Sequence, residues 1–221
     1  MHVEKIFSCL LNAAKNESPI VQDYARRSSV LCGYFLEPDV WTSFLLPRLE
    51  ATPTKEHLLL LGGLLRGAHP PTLAPLLPQL CDQLASDAIC YSLDQRYLTE
   101  MLYCVEGLPE SQVQEESEAS ILKLCLAIVG LGEREVREGG RRCLQGLAGG
   151  HGQEALLRKL LPPILASYLT TAPTWSSISY EKKLFEAVVH ECPSVLGYFP
   201  KEVLFSVISF RIIETTGRHD F

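Results

Sequence analysis

The sequence predicts an all-α fold, a solenoid of stacked helix pairs. Three observations carry that expectation. Almost every segment of the 221 residues scores for helical periodicity, and the alternating pattern of a half-buried strand is absent. Gly, Pro, Ser and Asp cluster between apolar runs of about 13 to 18 residues, as helix starts and stops require. A proline stands inside a strongly apolar run three times, in LLPRL (45–49), LLPQL (76–80) and LLPPIL (160–165). Pro47, Pro78 and Pro162 each lack a backbone N–H, at about 3 kcal/mol in a helix interior. Leu45, Leu76 and Leu160 open these runs at spacings of 31 and then 84 residues, the latter two units of roughly 40.

The elements follow in order. A first pair is expected at 2–15 and 19–36, turned by KNESP, with Ser18 as cap and Pro19 at the first helical position. The second covers 38–51 and 54–68, and the third 71–85 and 93–107. The fourth runs over 114–130 and 133–148, the fifth over 152–170 and 177–191, and one further helix lies near 200–215. The acidic EESE at 115–118 suits the first turn of a helix. In the second helix, Ile20, Tyr24, Leu31 and Phe35 make one stripe, and Val21, Ala25, Ser28 and Cys32 another beside it. Two stripes predict a helix covered on more than one side. VQDYARR (21–27) and VREGGRR (136–142) repeat both letters and position after a tight turn.

Composition narrows the function. At 47% apolar the chain can bury a continuous core. Its formal charge of −6, with 20 Lys+Arg against 26 Asp+Glu and no dense basic run, offers no surface for nucleic acid. The longest apolar stretches, Leu58–Leu65 and Ile121–Leu131, fall short of the roughly 20 residues that span a bilayer. The amino terminus reads as a helix and not as a secretory signal, so the chain is expected in the cytoplasm. The eight cysteines show no CxxC or zinc spacing, and most sit inside apolar periodic runs and read as reduced thiols packed as small hydrophobes, with no metal and no cofactor.

These features resemble HEAT repeats: a proline-bent first helix of the LLPxL kind, a short turn, then a second helix opening on Val-Arg or Val-Gln. The resemblance implies a right-handed superhelical α-solenoid of HEAT-type helix pairs. It implies one array over 1–221, of about five pairs plus a terminal helix, with second helices on the concave wall. A proline bend would let the first helix curve over its partner. The fourth unit lacks that proline, Gln22 stands where the repeat often has Arg, and Pro75 would start the third unit's first helix later. Pro162 and Pro163 would alternatively break their helix in two. More closely, PIVQDYARRSSVLCGYFLEPDVW and AICYSLDQRYLTEMLYCVEGL resemble the middle of HEAT-repeat dynein axonemal assembly factors. That similarity is strong over the first half, looser beyond, and implies an internal fragment. It implies a non-enzymatic cytoplasmic factor in preassembly of the dynein arms of motile cilia. Axonemal dynein chains, other assembly factors and chaperones would be its partners. A transport adaptor or a phosphatase-like regulatory scaffold binding folded partners is the alternative that HEAT architecture also permits.

Catalysis finds no support in the letters. There is no G-x-S-x-G elbow, and His190 and Cys192 are too close in sequence to face each other on a helix. GGHGQ at 149–153 lacks the Gly-Lys-Ser/Thr of a triphosphate loop and reads as a helix stop. The candidate partner-binding residues are Arg26, Arg27, Arg137, Arg141, Arg142, Trp175 and Tyr180. The arginines could pair with carboxylates of an acidic partner segment. Asp23 with Arg27, Glu133 with Arg137, and Glu138 with Arg142 stand four apart, so solvated pairs within one helix are the competing reading. Trp175 and Tyr180 lie in the polar stretch TTAPTWSSISYEKK (170–183), either as exposed anchors or tucked back over the helices below.

Overall fold

A computed structural model describes residues 2–50, 53–108, 113–149, 152–169, 174–176, 179–191, 193 and 197. Every regular element among them is helical. The chain divides into two compact units, Met1–Leu147 and Ala148–Phe221.

The first unit opens with the expected pair, α1 (His2–Ala14) and α2 (Pro19–Phe35). Asn16 organises the turn: its side-chain Oδ1 accepts the Ser18 N–H at 2.9 Å and its carbonyl accepts Gln22 Nε2 at 2.7 Å. Pro19 starts α2 where a missing N–H costs nothing.

The next first helix runs as α3 (Pro38–Val40), a π-helical turn (Trp41–Leu45) and α4 (Leu46–Glu50). Pro47 lies just beyond the widened turn. Its ring would press on a carbonyl four residues upstream. The chain instead bonds the Leu46 N–H to the Trp41 carbonyl, five residues back. Its partner α5 (Lys55–Gly67) carries a capping box, in which the Thr54 N–H donates to His57 Nδ1 at 3.2 Å. All eight residues of Leu58–Leu65 are buried.

The third first helix is shorter than expected. Residues 71–85 divide into α6 (Pro70–Leu73) and α7 (Leu77–Leu84), so Pro78 stands at a helix start and not inside one. An additional short α8 (Asp87–Cys90) precedes α9 (Gln95–Glu106), which Asp94 caps by accepting the Arg96 N–H at 2.9 Å. The fourth pair is α10 (Glu115–Leu131) and α11 (Arg134–Ala148). Glu115, Glu116 and Glu118 occupy the first turn of α10, where the helix dipole favours them.

In the second unit α12 (Gln153–Leu169) runs unbroken through Pro162 and Pro163. The next helix is α13 (Tyr180–Glu191). Gly149 and Gly152, at φ 52° and 81°, supply the left-handed residues of the stop that precedes α12. The helix expected near 200–215 and Cys192 lie outside the described residues. No helix among the described residues is long and apolar enough to cross a membrane.

Glycines set the spacing of the first unit. α5 lies between α2 and α9. A Cβ on Gly63 would meet Ser29 Oγ at 1.8 Å, and one on Gly67 would meet the Val30 carbonyl at 1.8 Å. On the other flank a Cβ on Gly62 would meet the Tyr103 ring at 2.3 Å. A Cβ on Gly139 of α11 would meet Leu102 of α9 at the same 2.3 Å. The second helices α2, α5, α9 and α11 thus succeed one another at close approach.

α2 departs from expectation. Only one face is covered, through the small residues Ala25, Ser29 and Gly33. Ile20, Tyr24, Leu31 and Phe35 are 68%, 65%, 67% and 77% exposed. Small side chains let α2 approach α5 closely enough to leave the large ones pointing the other way.

Candidate functional site

The candidate arginines of the first unit lie on its second helices. Gly62 and Gly63 leave no side chain between α2 and α9 at one level of α5, and Arg26 of α2 reaches α9 there. Its Nη2 donates to both oxygens of Glu100, at 2.6 and 2.8 Å, and its guanidinium stands 4.5 Å from the centre of the Tyr103 ring. Arg66 of α5 stands over the same ring at 4.1 Å and donates to Glu106 at 2.9 Å. Arg142 of α11 approaches Glu106 from the far side at 4.0 Å. Three arginines from three helices therefore converge on one row of α9, Glu100, Tyr103 and Glu106. That row repeats every third residue, along one face of the helix.

Burial pushes the Glu100 carboxyl above the ordinary carboxylate range, against the opposing pull of Arg26. Charge-assisted bonds and cation–π contacts in so shielded a place bind more firmly than exposed ones. The arrangement holds guanidinium groups in a fixed row.

The other candidates fall in different places. Arg27 pairs with Asp23 at 2.8 Å and stays 75% exposed, as the spacing of four predicted. Arg137 donates to the Gly132 carbonyl at 3.1 Å. Glu138 engages Arg141, three residues on, at 2.6 Å. That leaves Arg142 turned toward α9 and 69% exposed. Trp175 is 5% exposed, its ring 5.9 Å from that of Phe185, which is the tucked arrangement and not the exposed one. Tyr180 is the first residue of α13 and half-buried.

Sequence reasoning missed Arg66, Glu100, Tyr103 and Glu106. The spacing of Glu100, Tyr103 and Glu106 was a readable signal of one shared face. Four thiols, Cys81, Cys90, Cys104 and Cys125, are buried as core residues, whereas Cys9 is exposed and Cys32 and Cys143 are half-buried. Cys81 and Cys90 are buried and pushed up to about 12, and burial drives Cys104 and Cys125 higher still. Cys104 donates to the Leu58 carbonyl at 3.1 Å, tying α9 to α5.

Comparison with known proteins gives these features a context. Residues 1–132 match the family described as Dynein axonemal assembly factor 5, HEAT-repeat domain. The chain is 30% identical over 203 residues to Dynein axonemal assembly factor 5 of Homo sapiens, covering 89% of this chain and 24% of that protein. The Xenopus laevis protein of the same name is 24% identical over 206 residues, with the same two shares. The Mus musculus protein is 30% identical over 129 residues, 58% of this chain and 15% of that one. The chain thus spans 24% of the length of the human and frog relatives. No solved structure matches. With a family match over well more than half its residues, lying on paired helices closely packed through glycine, this chain belongs to the dynein axonemal assembly factor 5 family through its HEAT-repeat domain.

Proposed function

We propose that this chain is part of a non-catalytic protein-binding scaffold in the cytoplasmic preassembly of axonemal dynein arms of motile cilia. The observation that carries the reading is the family match over residues 1–132. Axonemal dynein chains are the partners proposed, together with other assembly factors or chaperones. As part of the same reading, residues 1–221 contribute helix pairs of one repeating kind, about five with a terminal helix.

The contact proposed is between acidic partner segments and the arginines of the second helices. Arg27 and Arg142 have the exposure to meet carboxylates directly, and Arg137 lies on the exposed part of α11. Arg26 and Arg141 contribute by holding neighbouring carboxylates, which fixes the charge pattern. Trp175 and Tyr180 serve the second unit by packing.

The test is affinity capture with the immobilised 221-residue chain from cytosol of cells building motile cilia, read by mass spectrometry. An Arg27→Glu/Arg142→Glu variant runs alongside. Retention of axonemal dynein chains by the wild type, reduced several-fold in the variant, is expected. Retention of transport receptors or phosphatase subunits in their place overturns the reading.

A further inference from the structure

Glycine also sets the register between α10 and α11. A Cβ on Gly132, at the turn, would meet Val136 Cγ1 at 2.9 Å, and one on Gly140 would meet Ile128 Cγ2 at 2.8 Å and Val129 Cγ2 at 3.1 Å. Further along, Ile121 and Leu147 both line one cleft of about 490 Å³. Gly132, Ile128, Cys125 and Ile121 follow one face of α10 at steps of a single helical turn. Val136, Gly140, Cys143 and Leu147 match those steps in the opposite direction along α11. Cys125 and Cys143 therefore stand at facing positions, between the level where the two helices touch and the level where they part.

The two thiols differ in access. Cys125 is fully buried, whereas Cys143 is half-buried and forms part of the cleft wall beside Arg142. Burial first, and then the neighbouring Cys143, raise the Cys125 thiol, so Cys125 is no entry point for an oxidant. Both cysteines are reduced. A disulfide needs Cα atoms about 5.5 to 6 Å apart. Gly140, one turn from Cys143, brings α11 so close to α10 that a single added carbon has no room.

We infer that Cys125 and Cys143 form a reversible disulfide site, in which Cys143 meets a peroxide-class oxidant through the cleft and Cys125 resolves the product. In the first step an S–O bond forms on Cys143 and the peroxide O–O bond breaks; the departing hydroxide takes up the Cys143 thiol proton as water. The Cys125 sulfur then displaces hydroxide from the Cys143 sulfenic acid, and the Cys125 proton leaves with it as a second water. Two thiols lose two electrons in all, and one peroxide is reduced. Cys125 yields its proton reluctantly, so the second step sets the rate. The bond would pin the turn of α11 that carries Arg142 to α10, and it rests on nothing in the dynein reading.

The test treats the folded 221-residue chain with hydrogen peroxide, blocks the remaining thiols and digests with trypsin without reductant. The product expected is LCLAIVGLGER (124–134) joined to CLQGLAGGHGQEALLR (143–158) and released by dithiothreitol. Cys143→Ser, a change at a half-buried position, is expected to leave Cys125 reduced at the same dose. Cys125→Ala is expected to raise the dimedone-trapped sulfenic acid on Cys143 several-fold. A Cys143 that stays sulfenic, or pairs with Cys9, while Cys125 is still a thiol overturns the proposal. So does a chain in which both stay thiols at millimolar peroxide, or a linkage that forms only in urea above the unfolding midpoint. Cys125 oxidation that persists in Cys143→Ser overturns it as well.

Discussion

His57 shows how a single side chain ties helix geometry to solvent pH. Its Nδ1 accepts the Thr54 N–H at 3.2 Å and lies 2.9 Å from Thr54 Oγ1, closing the start of α5. Only the unprotonated ring can accept that N–H. Burial first, then the Lys15 charge, lowers the His57 pKa below its ordinary value. The folded state therefore binds this proton more weakly than the unfolded one. The stability it lends is complete above the unfolded value near 6.5 and is lost as pH falls through the lowered folded value. Melting curves between about pH 8 and about pH 5 should show wild type losing more stability than His57→Gln, which keeps an acceptor that does not titrate. Equal losses in the two proteins would remove His57 as the source. None of this was visible as a titration in the sequence, because the lowering depends on what covers the ring. The arginines make the same point. Asp23 with Arg27 was legible from a spacing of four, whereas Arg26 finds Glu100 across 74 positions of chain.

The helices were legible to the extent that one periodic run made one helix. The first, second, fourth and fifth pairs sit within a few residues of their expected ends, set by Pro19, Thr54, Gln114 and the Gly149 stop. The third departs in the stretch around Pro75, where α6 ends at Leu73 and α7 begins at Leu77 with Pro78 in its first turn, and α8 has no apolar period to announce it. The Leu-Leu-Gly-Gly-Leu-Leu core of α5 was read as an apolar run, yet its glycines decide which helices can touch. Gly63→Ala tests that decision. Alanine adds about 1 kcal/mol of helix propensity, but its Cβ would meet the Arg26 carbonyl at 2.9 Å as well as Ser29 Oγ. Backbone does not yield as a side-chain tip does. Overpacking of this kind should win by about 1–3 kcal/mol, read as a lower midpoint in urea with unchanged slope. A rise in the midpoint would show that α2 can move aside freely.

Across the first unit, α10 joins α5 as a helix that several others share. It packs on α7 and on α9, and Leu122, Leu124, Cys125, Leu126, Ala127 and Ile128 are all fully buried. Leu124→Asp places an unpaired carboxylate in that core. It should cost more than about 4 kcal/mol and abolish the cooperative transition of Met1–Leu147. A two-state melt within a few degrees of wild type would mean that α10 is not shared core. The repeat character was plain in the sequence through its period and prolines. The exposed side of α2 was not, since letters show that a stripe exists and not whether anything covers it. The buried thiols add a practical consequence. Cys81, Cys90, Cys104 and Cys125 sit one each on α7, α8, α9 and α10, protonated and out of reach of solvent, while Cys9 is exposed. Thiolate alkylation is therefore slow at each of them until its own helix opens. The order in which they acquire label during a timed exposure would read out the sequence of local opening events, with Cys9 as the internal clock.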